Sequence, residues 1–281
     1  MTQTPITQNK EYLKNEQYKD SSNLGARANL HELYSTATTP WHVWVFNHLG
    51  LQAGMTILEC GCGPGWLWRN NAEGIPQNCH ITLTDLSEGM VAEAEAALAH
   101  TPAPVEFQFE NANIEELPYT DNSFDIVVAN HMLYHVPDLA KGLSEVRRVL
   151  KPNGRFFAAT NGNNHMKELK QIGEEIAESQ GQFIKAIGHN ADKVIWKLTF
   201  RLENGAELLA PYFDTITLET FEDSLEVTEA APLANYIKST FRMANATTEI
   251  NESLDNYIAQ KIAQESTIHI TKETGLFIAQ A

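Results

Sequence analysis

Between Thr56 and Thr160 the chain alternates short, almost wholly apolar runs with longer stretches whose apolar residues recur every three or four positions. The runs are Thr56-Ile57-Leu58-Glu59, His80–Asp85, Val105–Glu110, Phe124–Asn130 and Arg155–Thr160. Phe-Asp-Ile-Val-Val-Ala-Asn at 124–130 is nearly continuous, the mark of a parallel strand buried on both faces. The intervening stretches predict helices: one from about Gly65, one over Glu88–His100 capped by Ser87, and one over Leu139–Leu150. The last ends at Lys151-Pro152-Asn153-Gly154, a turn that no helix continues through. Strands separated in this way imply βαβ units and a parallel sheet.

The flanks read differently. Residues 1–50 look helical, with Tyr12, Tyr18, His31, Tyr34, Trp41 and Trp44 as the large side chains. Helices are expected over Asn164–Ser179, near Phe183–Leu202 and between about Pro232 and Glu265. Thr215–Thr220 alternates as a strand, and Gly275–Ala281 suits a closing strand. With no repeat or linker between them, these parts make one α/β unit. It comprises an N-terminal helical lid (1–50) and a main domain (51–281) with helical insertions at about 163–210 and 230–265.

Composition narrows the partners. The 281 residues hold 36 Asp+Glu against 20 Lys+Arg, a formal charge of −16, and no Lys/Arg-rich run, so nucleic-acid binding is not expected. About half of that charge falls after residue 200, with 13 acids against 5 bases, where it reads as a solvated face. Met1–Asp20 lacks the apolar core of a secretory signal, and the longest apolar stretches fall far short of the ~20 residues that span a bilayer. The expectation is a soluble, cytoplasmic protein without a membrane partner. Three cysteines, Cys60, Cys62 and Cys79, are too few and oddly numbered for a disulfide framework.

Ile57-Leu58-Glu59-Cys60-Gly61-Cys62-Gly63-Pro64-Gly65 carries the candidate chemistry. A strand running into closely spaced glycines lets the backbone pass close to a ligand at the start of the next helix. A dinucleotide fingerprint wants G-x-G-x-x-G, whereas this loop is G-x-G-x-G, and Glu59 would sit badly against a pyrophosphate but well against a cation. S-adenosylmethionine carries a sulfonium, an ammonium and a ribose edge, and no phosphate. Asp85 ends the second strand, 20 residues past Gly65, where either a dinucleotide or S-adenosylmethionine would place an acid.

These residues resemble the class I (seven-β-strand, Rossmann-like) S-adenosylmethionine-dependent methyltransferases, of the small-molecule group related to ubiquinone/menaquinone methyltransferases. Four further segments carry the likeness over about residues 55–161. They are Ala112-Asn113-Ile114-Glu115-Glu116-Leu117-Pro118-Tyr119, Asp121-Asn122-Ser123-Phe124-Asp125, Asn130-His131-Met132-Leu133-Tyr134-His135-Val136-Pro137-Asp138 and Arg148-Val149-Leu150-Lys151-Pro152-Asn153-Gly154-Arg155. The resemblance implies a three-layer α/β sandwich with a mostly parallel seven-stranded sheet, and S-adenosyl-L-methionine held by Glu59, Gly61, Gly63, Gly65, Asp85, Leu86, Asn113, Ile114 and Asn130. In the family the position of Asn113 is usually Asp, whose oxygen accepts from the adenine amino group; the Asn oxygen can do the same.

Methyl transfer from a sulfonium needs alignment and exclusion of water, and an O- or C-acceptor also needs a base. His135, His131 and His165 are the candidate bases. His131 and His135 have a His-x-x-x-His spacing, but no Glu lies between them and no third ligand is evident, so no metal is expected. The Asn-Pro-Pro-Tyr element of amino-methylating nucleic-acid enzymes is missing after the fourth strand, which again favours a small-molecule acceptor. Two rivals stand beside methyl transfer: a non-methyl-transfer reaction on the same fold, and a cofactor-binding protein without turnover. A nicotinamide dehydrogenase is a more distant alternative. The acceptor and the oligomeric state are not legible.

Overall fold

The computed structural model describes residues 5–101, 105–180, 199–240, 243 and 246–281. Among the described residues the strands are β1 (Thr56–Cys60), β2 (His80–Asp85), β3 (Glu106–Asn111), β4 (Phe124–Asn130), β5 (Leu150–Asn161), β6 (Thr215–Phe221), β7 (Ser224–Val227), β8 (Ile268–Thr271) and β9 (Thr274–Gln280). Seven of them form one sheet in the order β3-β2-β1-β4-β5-β9-β6. β3, β2, β1, β4 and β5 pair in parallel, and β9 runs antiparallel between β5 and β6. The chain reverses direction of winding between β1 and β4, the crevice where open α/β sheets hold ligands.

The period-2 geometry of strands explains the apolar runs. On β4, Val127 and Ala129 join one buried cluster while Ile126 and Val128 join the cluster on the other face. On β5, Phe156 and Ala158 face one way and Phe157 and Ala159 the other. Helix Leu139–Val149 covers the first face with Leu143, Val146 and Val149, and Asp138 caps it by accepting from Lys141 N at 3.0 Å. Helices Trp41–Leu49 and Glu88–Leu98 cover the second face through Val45, Leu49, Ala94 and Leu98. The three layers are therefore helix, sheet and helix. Ser87 caps Glu88–Leu98 as its sequence suggests, accepting from Met90 N at 3.3 Å.

A third cluster lies beyond the sheet edge. Leu30, Met166, Ile172, Leu225, Val227, Leu233, Leu254, Ile258, Ile268 and Ile270 pack together. Apart from Met166, which directly precedes helix Lys167–Gln180, they come from that helix, from helices Ser22–Tyr34, Ala230–Lys238 and Thr248–Glu265 and from the antiparallel pair β7–β8. The β7–β8 ladder was not expected from the sequence. The helix expected from about Gly65 is a single turn, Trp66–Arg69, because a 3-10 turn at Ala72–Gly74 follows directly. Most of the helix expected near Phe183–Leu202 lies outside the described residues. Among the described residues no helix is long and apolar enough to cross a membrane.

Candidate functional site

β1 ends in a loop built on left-handed backbone. Gly61, Gly63 and Gly65 have φ of +71°, +54° and +73°, a region that costs L side chains about 1–2 kcal/mol each. At Gly61 a side chain is excluded on space as well, since a Cβ would stand 2.8 Å from Met132 Cβ and Cγ. Gly61 N and Cys62 N both donate to Thr84 O, at 2.7 and 2.9 Å, which fixes the loop against the end of β2. Asp85 completes the attachment: Oδ2 accepts from Gly63 N at 3.0 Å and Oδ1 from Ser87 N at 2.9 Å. Burial raises its carboxyl pKa, against the pull of those amides. Leu86, next in line and half-buried, has its carbonyl held by Asn111 Nδ2 at 2.8 Å.

Glu59 points to the face of the sheet that holds Trp68. Only 2% of it is exposed, and its Oε2 accepts from Trp68 Nε1 at 2.7 Å. Burial pushes its pKa up to about 8, so with no cationic group beside it among the described residues this carboxyl is protonated over much of the neutral range. Cys60 and Cys62 are buried free thiols, and burial pushes Cys60 up to about 12, which leaves it unreactive.

Asn113 and Ile114 follow β3. Asn113 Oδ1 accepts from Glu115 N at 3.1 Å, leaving a lone pair for one more donor. Ile114 is 5% exposed and packs into the cluster that includes Val136 and Leu143. At the end of β4, Asn130 Oδ1 is buried and has no partner among the described residues. An acceptor in that state costs about 1–3 kcal/mol unless a donor reaches it. An ammonium is such a donor.

The three candidate histidines fall in different surroundings. His135 Nδ1 lies 2.7 Å from the Thr7 carbonyl, which can only accept, so Nδ1 carries the proton. Its Nε2 is therefore the basic nitrogen, and the Tyr18 hydroxyl, 3.0 Å away, donates to it. Burial lowers the His135 pKa to about 4, although the Thr7 carbonyl opposes the shift. His131 has φ +56° and donates its N–H to Ala159 O at 3.1 Å; its ring lies 5.2 Å from that of Trp41. Burial, with the Lys272 charge adding to it, holds His131 down to about 3. His165 accepts at Nδ1 from Glu273 N at 3.2 Å and is likewise driven well below its ordinary value by burial. All three are neutral at pH 7. Among the described residues no group of three or more His, Cys, Asp or Glu could hold a metal ion.

Helix Ser22–Tyr34 and the turns before it face this edge of the sheet. Leu24 Cδ1 is 3.7 Å from where a Gly63 Cβ would stand, and Tyr18 reaches His135. The Arg27 guanidinium lies 5.6 Å from the Tyr18 ring centre. His31 packs edge-on to Tyr236 at 5.7 Å. Sequence reasoning named Tyr18, His31 and Trp41 only as large side chains of the lid. It missed Asp223, Lys272, Phe221 and Tyr236, which lie more than 180 residues from that helix and carry no local motif.

Residues 58–158 match the family model of a methyltransferase domain. The demethylmenaquinone methyltransferase of Desulfitobacterium hafniense (strain Y51) is 30% identical over 131 residues, 47% of this chain and 52% of that protein. The chain spans about half the length of the curated relatives it matches. Among solved structures, the [4+2]-cyclase SpnF superposes with a TM-score of 0.58 at 15% identity, covering 98% of this chain and 97% of that one. Phosphoethanolamine N-methyltransferase 2 of Haemonchus contortus, solved with S-adenosyl-L-methionine, gives 0.57 at 19% identity over 96% of this chain and 59% of that one. The chain has the class I S-adenosylmethionine-dependent methyltransferase fold, the S-adenosylmethionine-binding fold typical of methyltransferases.

Proposed function

We propose that the protein binds S-adenosyl-L-methionine and transfers its methyl group to a small-molecule acceptor. The observation that carries this reading is the left-handed glycine loop tied to Asp85, with the unpartnered Asn130 oxygen at the end of the neighbouring strand. When bound, the cofactor supplies an electrophilic methyl on a sulfonium. Gly61, Gly63 and Gly65 would let the backbone approach it, and Asp85 would use its remaining lone pairs for the ribose hydroxyls. Asn113 Oδ1 would accept from the adenine amino group, while Leu86 and Ile114 supply apolar walls. Asn130 Oδ1 would accept from the ammonium, and Glu59 behind the loop would gain a cation that favours its ionised form.

The proton of an O- or C-acceptor would pass to the Tyr18 oxygen as the phenolic proton moves to His135 Nε2. Thr7 holds the imidazole in the tautomer that this relay requires. His131 and His165 would then be polar walls rather than bases, the first against Trp41 and the second against Thr274. Helix Ser22–Tyr34 over the sheet edge supports a small acceptor, since it would exclude water from the transfer.

Isothermal titration with S-adenosylmethionine and S-adenosylhomocysteine tests the reading. The wild type should saturate, and Asp85→Ala should lose at least about tenfold in affinity, the equivalent of 1.4 kcal/mol. No saturable binding, or an Asp85→Ala variant indistinguishable from wild type, defeats it.

A further inference from the structure

Several buried or half-buried cations have an acid beside them. Lys272 has Asp223, Arg148 has Glu145 and Asp121, and Lys10 has Glu115. Arg27 has none. Its Nε donates to the Asn23 carbonyl at 3.1 Å, within its own helix, and its Nη2 is buried with no partner among the described residues. The ionisable groups around it are the phenols of Tyr18, Tyr134 and Tyr236. One turn further on, His31 Nδ1 is also buried without a partner among the described residues. Leu24, Arg27 and His31 share one face of helix Ser22–Tyr34, at i, i+3 and i+7. Leu24 rests on the glycine loop and Arg27 lies over Tyr18, the partner of His135. The guanidinium therefore lies against Tyr18, with which it hydrogen-bonds, on the helix face that Leu24 turns to the glycine loop, and it keeps one nitrogen without a partner among the described residues.

A guanidinium out of water without a counter-charge is costly, and its planar fork matches a carboxylate or phosphate edge. We infer that Arg27 anchors an anionic oxygen group, a carboxylate or a phosphate, which a bound ligand brings into this space. His31 Nδ1–H supplies a second donor to the same group. This rests on the cofactor reading above, and two molecules could bring the anion. One is the cofactor, through its methionyl carboxylate. The other is the acceptor, which would then be an acid.

Titration of wild type, Arg27→Gln and Arg27→Lys with S-adenosylhomocysteine and with 5′-methylthioadenosine, which lacks the carboxylate, separates the two sources. A charge-assisted pair corresponds to about 10- to 100-fold in affinity. If the cofactor brings the anion, Arg27→Gln weakens S-adenosylhomocysteine by that factor and leaves 5′-methylthioadenosine unchanged, with Arg27→Lys in between. If the acceptor brings it, both nucleosides bind Arg27→Gln as they bind wild type. In that case inorganic phosphate or acetate raises the melting temperature of the S-adenosylhomocysteine-loaded wild type but not of Arg27→Gln. Retained 5′-methylthioadenosine affinity shows that the variant is folded. Nucleoside binding and anion response both indifferent to Arg27 overturn the inference and leave the cofactor reading intact. A wild type that binds neither nucleoside overturns the cofactor reading instead. The anion response of the unloaded wild type and Arg27→Gln then decides the Arg27 site separately.

Discussion

Asp223 is 1% exposed and Lys272 8% at their side chains, and the two meet at 2.5 Å. Asp223 Oδ1 also accepts from Ser35 Oγ at 2.7 Å and from Thr36 N and Ala37 N at 3.1 Å each, so one carboxylate fastens the end of helix Ser22–Tyr34 to β7 and β8. Asp223→Ala leaves Lys272 buried, 5.6 Å from the Phe221 ring centre, with no counter-charge. Removing one partner of a buried pair typically costs about 3–5 kcal/mol. Urea unfolding at pH 7 should show a loss in this range, with Thr36 and Ala37 amides exchanging faster. Combining Asp223→Ala with Lys272→Met removes the stranded charge and should restore more than half of the loss. A loss under about 1 kcal/mol, which is what an exposed pair gives, would refute the reasoning. So would a double variant no more stable than Asp223→Ala.

Gly61→Ala forces a Cβ onto Met132 at a left-handed position and should weaken S-adenosylhomocysteine at least about tenfold, whereas Gly173→Ala, with open space around it, should bind normally. His31 and His131, held down to about 3, and His42 and His135, held down to about 4, stay neutral in the fold, while the unfolded chain takes up protons below about 6.5. Stability should therefore be held above that pH and fall as the pH drops toward 4, by at most about 1.4 kcal/mol per pH unit for each imidazole. Denaturant midpoints from pH 7.5 to 5 check this. Glu59 acts in the opposite sense: with its pKa raised to about 8 the native state keeps a proton that the unfolded chain has lost, so stability falls as pH rises from about 4.5 to 8. Glu59→Gln should flatten that limb. Arg148 binds Glu145, Asp121 and the carbonyls of Leu117 and Tyr119, so Arg148→Ala should lower stability by about 1–3 kcal/mol in thermal melts.

The five parallel strands were legible because burial on both faces leaves runs such as Ile126-Val127-Val128-Ala129, which a loop or an amphipathic helix does not produce. The glycine loop was legible because three left-handed positions in five residues demand glycine at spacings that survive in the sequence. β7 and β8 were not. Ser224-Leu-Glu-Val and Ile268-His-Ile-Thr are four residues each, and they pair across some forty intervening residues, so neither carries enough period-2 signal to stand out. The candidate histidines were visible as residue types, but their states were not. That Thr7 sets the tautomer of His135, and that Tyr18 occupies its basic nitrogen, follows only from contacts spanning more than a hundred residues.

The same distant contacts set the charge on the acceptor side of the loop, and only the folded chain reveals it. His31, His131 and His165 are neutral, since burial removes their protons. Lys272, close enough to all three to depress them, is cancelled by Asp223. Among the described residues the cation of this interior left without an acid is Arg27, in an acidic chain of net charge −16. Asp223 thus has two consequences that separate experimentally. Its loss loosens the Ser35–Ala37 anchor, and it also adds a second cation close to the three imidazoles. Asp223→Asn keeps a hydrogen-bonding oxygen for the Thr36 and Ala37 amides but removes the charge. It should therefore lose less stability than Asp223→Ala while increasing, not decreasing, the affinity for inorganic phosphate or acetate at Arg27. Equal anion affinity in wild type and Asp223→Asn would show that Lys272 is not part of the field at that site.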